Sequence, residues 1–135
     1  MNPDTRPSLL LADDDAFVRS ALSAQLEGSF HVVAVARDAN EAIALSEAHR
    51  PDVALVDVEM PSGGARWAVP EIASRSPETC IVILSSDESQ GLVVELLRAG
   101  AVAYIRKGVT GAEIAQTLAD ALKFRDVAPV LAPTT

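Results

Sequence analysis

The stretch Pro51-Asp52-Val53-Ala54-Leu55-Val56-Asp57-Val58-Glu59-Met60-Pro61 constrains this chain more than any other. Val53 to Val56 is too short for an ordinary helix and β-branched at both ends, so it reads as a strand buried on both faces, as in a parallel sheet. The strand delivers Asp57, and Pro61 then turns the chain. Ligands of open parallel sheets sit beyond the carboxyl ends of the strands, where Asp57 falls. Taken alone, Asp57 is equally a turn residue ahead of Pro61. Its meaning depends on the residues that end the neighbouring strands.

Ser8-Leu9-Leu10-Leu11-Ala12 is another short apolar run, and it leads straight into Asp13, Asp14 and Asp15. Phe17, Val18, Ala21, Leu22 and Leu26 then make a helical stripe that stops near Gly28, a residue suited to a helix C-terminus. The next strand is His31–Ala36. Asp38 with Glu41 has the form of a capping box, opening a helix through Ala42, Ile43 and Leu45 that ends before Pro51. After Asp57, Trp67, Val69 and Ile72 mark a weaker helix. Proline in a helix interior costs about 3 kcal/mol, so Pro70 predicts that this helix kinks, or begins late with Pro70 in its first turn.

Cys80-Ile81-Val82-Ile83-Leu84 is the fourth strand, closed by Ser85 and Ser86. Asp87 with Gln90 offers a cap for the stripe Leu92, Val93, Leu96 and Leu97, which Gly100 closes. Val102-Ala103-Tyr104-Ile105-Arg106 is a fifth, shorter strand ahead of Lys107. Thr110 and Glu113 box a last helix through Ile114, Leu118, Ala121 and Leu122. Five strands alternating with five helices predict an α/β fold: a doubly wound parallel sheet with helices on both faces.

At 135 residues, 49% of them hydrophobic and 22% charged, the chain is of one-domain length and can bury a core without staples. Residues 1–6 read as a disordered leader, 7–124 as the domain, and 125–135, with Pro129 and Pro133, as a linker-like or disordered tail. A formal net charge of −8 with eleven scattered basic residues argues against direct nucleic-acid binding. Neither a signal peptide nor a membrane span is expected. The single Cys80 reads as a small buried hydrophobe and suits a reducing cytoplasm. His31 and His49 have no Cys or second His nearby and are not read as metal ligands. Trp67 is read as a packing or partner residue.

The polar residues that need explaining all fall at strand ends: Asp13 and Asp14, Asp57, Ser85 and Lys107. If the first and third strands are neighbours, the acids crowd, and each close pair repels by about 4 kcal/mol at 4 Å with an effective dielectric near 20. Lys107 can offset that repulsion. So can a hard divalent cation, with Mg²⁺ favoured where phosphate is handled. A carboxylate beside such charges can act as a nucleophile toward a phosphoryl group, and Ser85 can donate a hydrogen bond to a phosphoryl oxygen. Asp15 reads as a helix cap rather than a ligand.

At these residues the sequence resembles the receiver domains of two-component response regulators. The resemblance is carried by Leu10-Leu11-Ala12-Asp13-Asp14-Asp15, by Pro51-Asp52 with Leu55-Val56-Asp57 and Met60-Pro61, by Ile83-Leu84-Ser85-Ser86, and by Gly100-Ala101 with Tyr104 and Lys107. Each motif is weak alone; the set in this order is specific. It implies a flavodoxin-like sheet of order 2-1-3-4-5 and a phosphoaccepting Asp57. It also implies Mg²⁺, or alternatively Mn²⁺, held by Asp13, Asp14, Asp57 and the main-chain carbonyl of Glu59, with Lys107 pairing the phosphate. Ser85 and Tyr104 would form the switch, and Glu59 and Asp87 would border the site and modulate the phosphoryl lifetime. The implied donor is a histidine kinase or a phosphotransfer protein, and the implied readout is a change of partner or a homodimer tightened by phosphorylation. Such a chain is a phosphoacceptor that assists its own phosphorylation and dephosphorylation, not an enzyme with a separate substrate. Two departures limit the resemblance: Gly108 stands where the family often has a proline in a cis bond, which leaves the isomer of the Lys107–Gly108 bond open, and Pro70 falls where the family's third helix normally continues.

Three rivals share parts of this pattern. A phosphatase of the haloacid-dehalogenase type also uses an aspartate nucleophile with Mg²⁺, and Asp13 and Asp15 supply its Asp-x-Asp spacing. A flavin-binding domain of the same topology would need a phosphate loop where the three acids stand. A receiver-like scaffold that is never phosphorylated would not need the complete acidic set.

Overall fold

The computed structural model describes residues 5–86 and 90–131. The elements alternate as β1 (Ser8–Ala12), α1 (Ala16–Leu26), β2 (His31–Ala36), α2 (Ala39–His49), β3 (Val53–Asp57), α3 (Gly64–Arg75), β4 (Cys80–Ser85), α4 (Gln90–Ala99), β5 (Ala103–Arg106) and α5 (Gly111–Leu131). The strands form one parallel sheet in the order β2-β1-β3-β4-β5. Both the doubly wound class and the implied strand order are borne out.

Alternation along the interior strands builds a core on each face. Leu9 and Leu11 of β1 join Val53, Leu55, Val82 and Leu84 against Leu22 and Leu26 of α1 and Ile114 and Leu118 of α5. Leu10 and Ala12 join Ala54, Val56, Ile81 and Ile83 against α2, α3 and α4, through residues such as Ile43, Val69, Ile72, Val93 and Leu96. Burying such a Leu or Ile contributes roughly 1.5–3 kcal/mol. A one-residue slip of β3 would exchange its two faces, so the cores fix the register that places Asp57. Among the described residues no helix is long and apolar enough to cross a membrane.

Local expectations fare unevenly. Asp38 Oδ1 accepts the Glu41 N–H at 2.8 Å, but Glu41 reaches back to the Arg37 N–H at 3.0 Å rather than to that of Asp38. Thr110 and Glu113 form the full reciprocal box, with Glu113 N–H donating to Thr110 Oγ1 at 3.1 Å and Thr110 N–H to Glu113 Oε1 at 3.1 Å. α1 does stop before Gly28, yet Gly28 is not among the residues with positive φ. The amides of Ser29 and Phe30 instead fold back onto the Leu26 carbonyl, at 3.0 and 2.9 Å.

Of the two outcomes expected for Pro70, the late start is corrected: α3 begins at Gly64 and Pro70 lies inside it. Ser62, Gly63 and Gly64 take φ of 67°, 97° and 62°, a left-handed turn that starts the helix directly after the loop. The amide that Pro70 lacks would have served the Arg66 carbonyl, and Arg66 is exposed, so water can take that role. α5 runs from Gly111 to Leu131, past residue 124. Arg125 Nη1 holds this turn to the foot of the sheet, at 3.4 Å from the Asp52 carbonyl and 3.3 Å from that of Glu78.

Candidate functional site

Ala12 pairs with Val56 across β1 and β3, so the next residues along the two strands, Asp13 and Asp57, emerge side by side at the carboxyl end of the sheet. Helices leave β1 and β3 toward opposite faces, and the crevice between them is the topological switch point. Carboxylate oxygens of Asp13, Asp14 and Asp57 all lie within 4.8 Å of one another. Asp13 is 5% exposed and Asp57 3%, whereas Asp14 is open to solvent.

The β1–α1 turn is held through its own polar groups. Asp13 N–H donates to the Ala36 carbonyl at 3.0 Å, extending the β1–β2 ladder. Asp13 Oδ1 accepts the Asp15 N–H at 2.9 Å. Asp15 Oδ1 in turn accepts the amides of Phe17, at 2.8 Å, and Val18, at 3.3 Å, and so caps α1 as its sequence position indicates. That duty removes the second acid of the Asp-x-Asp spacing from the site, against the phosphatase reading. Sequence reasoning missed Arg19, whose Nη1 donates to the Asp13 carbonyl at 2.8 Å. The signal for it was faint: a basic residue one turn into a helix whose N-terminus favours acids.

Lys107 comes directly after β5, and its Nζ stands 2.9 Å from Asp57 Oδ1. This is an ion pair without hydrogen-bond alignment, for Oδ1 is buried and has no aligned donor. Burial pushes the Asp57 carboxyl above its ordinary range. Lys107 and the Glu59 backbone N–H oppose the shift, and the charge of Asp13 adds to it. Burial likewise raises Asp13, against the Asp15 N–H and Lys107. Burial works to lower the Lys107 pKa, but the carboxylates of Asp57, Asp13 and Glu59 together outweigh it and the net direction is upward. Two buried carboxylates, an oxygen with an open lone pair and a third acid in solvent form an all-oxygen donor set, which suits Mg²⁺.

The Lys107–Gly108 bond is trans, as are the other peptide bonds among the described residues. Gly108 takes φ of 103°, a left-handed turn that proline could not adopt. Lys107 N–H donates to the Ser85 carbonyl at 2.8 Å, which continues the β4–β5 pairing and aims the side chain across to β3. A cavity of ≈ 420 Å³ opens beside the site, lined by the polar Asp13, Asp14, Asp57 and Lys107 and by the apolar Phe17, Leu22, Val109 and Ile114 among others.

Ser85 is not gathered into the acidic cluster by its hydroxyl. It ends β4 beside Asp57 and is buried, but Oγ donates to the Ser86 carbonyl at 3.1 Å. It lines a second cavity, of ≈ 300 Å³, with Val93, Val94, Leu97, Tyr104 and Arg106. Tyr104 is 51% exposed at the rim of that cavity. Glu59 is exposed and adds to the field that raises Lys107. Asp87, the other expected modulator and the expected cap of α4, lies outside the described residues.

The family model of the response regulator receiver domain matches residues 9–119. The transcriptional regulatory protein PdtaR of Mycobacterium tuberculosis is 34% identical over 121 residues, covering 88% of this chain and 58% of PdtaR. A protein-glutamate methylesterase/protein-glutamine glutaminase of Haloarcula marismortui is 42% identical over 101 residues, 73% of this chain and 27% of that protein. The chain thus spans little more than half of PdtaR and about a quarter of the second relative. Among solved structures, the signal receiver domain of NarL from Mycobacterium tuberculosis superposes with a TM-score of 0.83 at 29% identity, covering 89% of this chain and 98% of that one. The response regulator domain of Thermotoga maritima CheB gives a TM-score of 0.80 at 27% identity, covering 87% and 97%. Because that family match takes in the carboxyl ends of all five strands, acids and lysine included, this chain belongs to the response regulator receiver domains.

Proposed function

We propose that Asp57 is the phosphoacceptor of this receiver domain, taking a phosphoryl group from the phosphohistidine of a histidine kinase or phosphotransfer protein. One observation carries the reading: Asp57 is buried at the end of β3, ion-paired to Lys107 at 2.9 Å, with the Asp13 and Asp14 carboxylates gathered around it. In the transfer, an Asp57 carboxylate oxygen bonds to phosphorus as the phosphorus–nitrogen bond of the donor breaks. The departing imidazole keeps the electron pair. The attacking oxygen stays bonded to the Asp57 carbon, and the Lys107 ammonium, paired with that carboxylate beforehand, can pair with the phosphoryl oxygens as the new bond forms.

Asp13, Asp14 and Asp57, with the Glu59 main-chain carbonyl, would hold Mg²⁺. When bound it supplies positive charge to the incoming phosphoryl oxygens and relieves the repulsion among the acids. The Glu59 N–H helps keep the Asp57 carboxylate ionised and oriented. The cavity holding Ser85 and Tyr104 lies on the other side of β4's end. We read it as the output side, where a Ser85 hydroxyl turned toward the phosphoryl group leaves room for the Tyr104 ring. The α4–β5 surface would then change its fit to a partner or a second copy.

Acetyl phosphate with Mg²⁺ tests this by intact mass. The expected result is one added phosphoryl group on the wild-type chain, none after chelation and none on Asp57→Asn. Labelling of Asp57→Asn at the wild-type rate would remove the assignment. Sustained turnover of a phosphomonoester by the wild type would favour the phosphatase instead.

A further inference from the structure

We infer that Arg19 is a positioning residue for the metal-binding acids, acting through the Asp13 main chain. This rests on the proposed Mg²⁺ site. Arg19 stands one turn into α1, and its guanidinium leaves the helix to bond the Asp13 carbonyl at 2.8 Å. Helix energetics do not explain the placement. The first turn of α1 contains no acid, the capping Asp15 four residues back spends Oδ1 on the Phe17 and Val18 amides, and a cation there opposes the helix dipole.

The bond instead completes the fixing of Asp13. Its amide is tied to Ala36, its Oδ1 to the Asp15 amide, and its carbonyl to Arg19. The first two ties come from backbone groups; Arg19 supplies the one that a side chain makes to the Asp13 main chain. With the carbonyl held, the peptide plane between Asp13 and Asp14 is set, and so is the direction in which both carboxylates leave it. Asp13 is buried and cannot be reoriented by solvent, while Asp14 is exposed and depends on its backbone for direction. Partners that orient metal ligands from behind typically change affinity by about 10–100-fold when removed.

Charge and position predict opposite signs, which makes the inference decidable. As a mere nearby cation, Arg19 would repel Mg²⁺, and its loss would tighten binding. As a positioning residue, its loss weakens binding. Mg²⁺ is titrated calorimetrically into the full wild-type chain, Arg19→Met and Arg19→Gln, with thermal melts and amide exchange on the metal-free proteins. The expected result is an Mg²⁺ Kd raised about 10-fold in both variants, faster exchange across residues 13–17, and little change in melting temperature. Arg19→Gln, which is too short to reach the carbonyl, serves if Arg19→Met fails to fold. Equal or tighter Mg²⁺ binding by the variants overturns the inference, as does unchanged exchange in the turn. Asp57→Asn separates the two levels: if it binds Mg²⁺ as the wild type does, or the wild type binds none, the metal site itself is wrong. The metal-free exchange data still judge Arg19 in that case.

Discussion

Lys107 Nζ meets Asp57 Oδ1 at 2.9 Å, but the two partners are unequally buried, the lysine side chain 42% exposed and the aspartate 3%. Without bound metal the pair is therefore one-sided: the carboxylate bears the desolvation and the ammonium keeps much of its water. Asp57 and Asp13 both have raised pKa values, chiefly from burial. A raised carboxyl pKa means the folded state holds its proton longer than the unfolded chain. The ionised acids thus cost stability above their folded pKa values, and this cost disappears as pH falls through them toward 3.8. Asp57→Asn and Asp13→Asn are expected to raise the metal-free melting temperature at pH 7, with a gain that shrinks on acidification. Asp14→Asn, at an exposed site, should gain less. Melts from pH 4 to 8 check the order and the trend.

Lys107→Met should do the reverse. It leaves a buried carboxylate without its counter-charge, at a cost of about 1–3 kcal/mol at pH 7, toward the low end because Lys107 is partly solvated. The loss should shrink toward acidic pH, where Asp57 protonates. It should also shrink at strongly alkaline pH, since a raised lysine pKa stabilises the fold below 10.5 and that contribution fades as pH rises through the folded value. Chemical denaturation across the pH range measures both limbs.

Gly63→Ala tests the loop after Asp57. Gly63 has φ of 97°, and an added Cβ would lie 2.8 Å from the Cβ of Trp67, an atom fixed to the α3 backbone. The left-handed conformation alone costs about 1–2 kcal/mol for a non-glycine residue, and the contact adds to it. Gly91→Ala, in α4 with nothing within 4 Å, should instead stabilise by roughly 0.5–1 kcal/mol. Urea unfolding of the two variants should move in opposite directions.

Ser85→Ala should separate phosphorylation from its readout. Its hydroxyl now serves the Ser86 carbonyl, so a phosphoryl group on Asp57 would have to draw it away. One charge-assisted hydrogen bond contributes roughly 1.5–3 kcal/mol, enough to shift a two-state equilibrium tenfold or more. The variant should accept phosphate yet lose most of the amide-exchange change across residues 90–107. Identical exchange changes in the phosphorylated wild type and variant would exclude Ser85 as the switch.

The sequence carried the strand ends well because burial on both faces leaves β3 and β4 no alternative to a central position, and the residues just past their ends are then fixed in space. Asp15 was legible as a cap because its side chain serves amides two and three residues on. Less was legible where one backbone torsion decides the outcome. Nothing in Met60-Pro61-Ser62 marks Ser62 for φ of 67°, yet that turn starts α3 at Gly64 and leaves Pro70 inside it. Arg19 and Arg125 were missed for a related reason. Both bind carbonyls, and a carbonyl has no signature in a sequence. The Ser85 rotamer is likewise a choice among staggered wells that the residue's name does not reveal.

The chain contains a single tryptophan, and its place gives the protein a built-in optical probe. Trp67 is 45% exposed, its indole N–H donates to Asn40 Oδ1 at 3.2 Å, and it packs on Gly63 in the loop after Asp57. All indole emission therefore comes from one ring, clipped to α2 and resting on the segment that includes Glu59. Any rearrangement of that segment changes the ring's contact with water and with the Asn40 amide. Its emission intensity and maximum should track events at the acidic site in real time, without a dye or an engineered label.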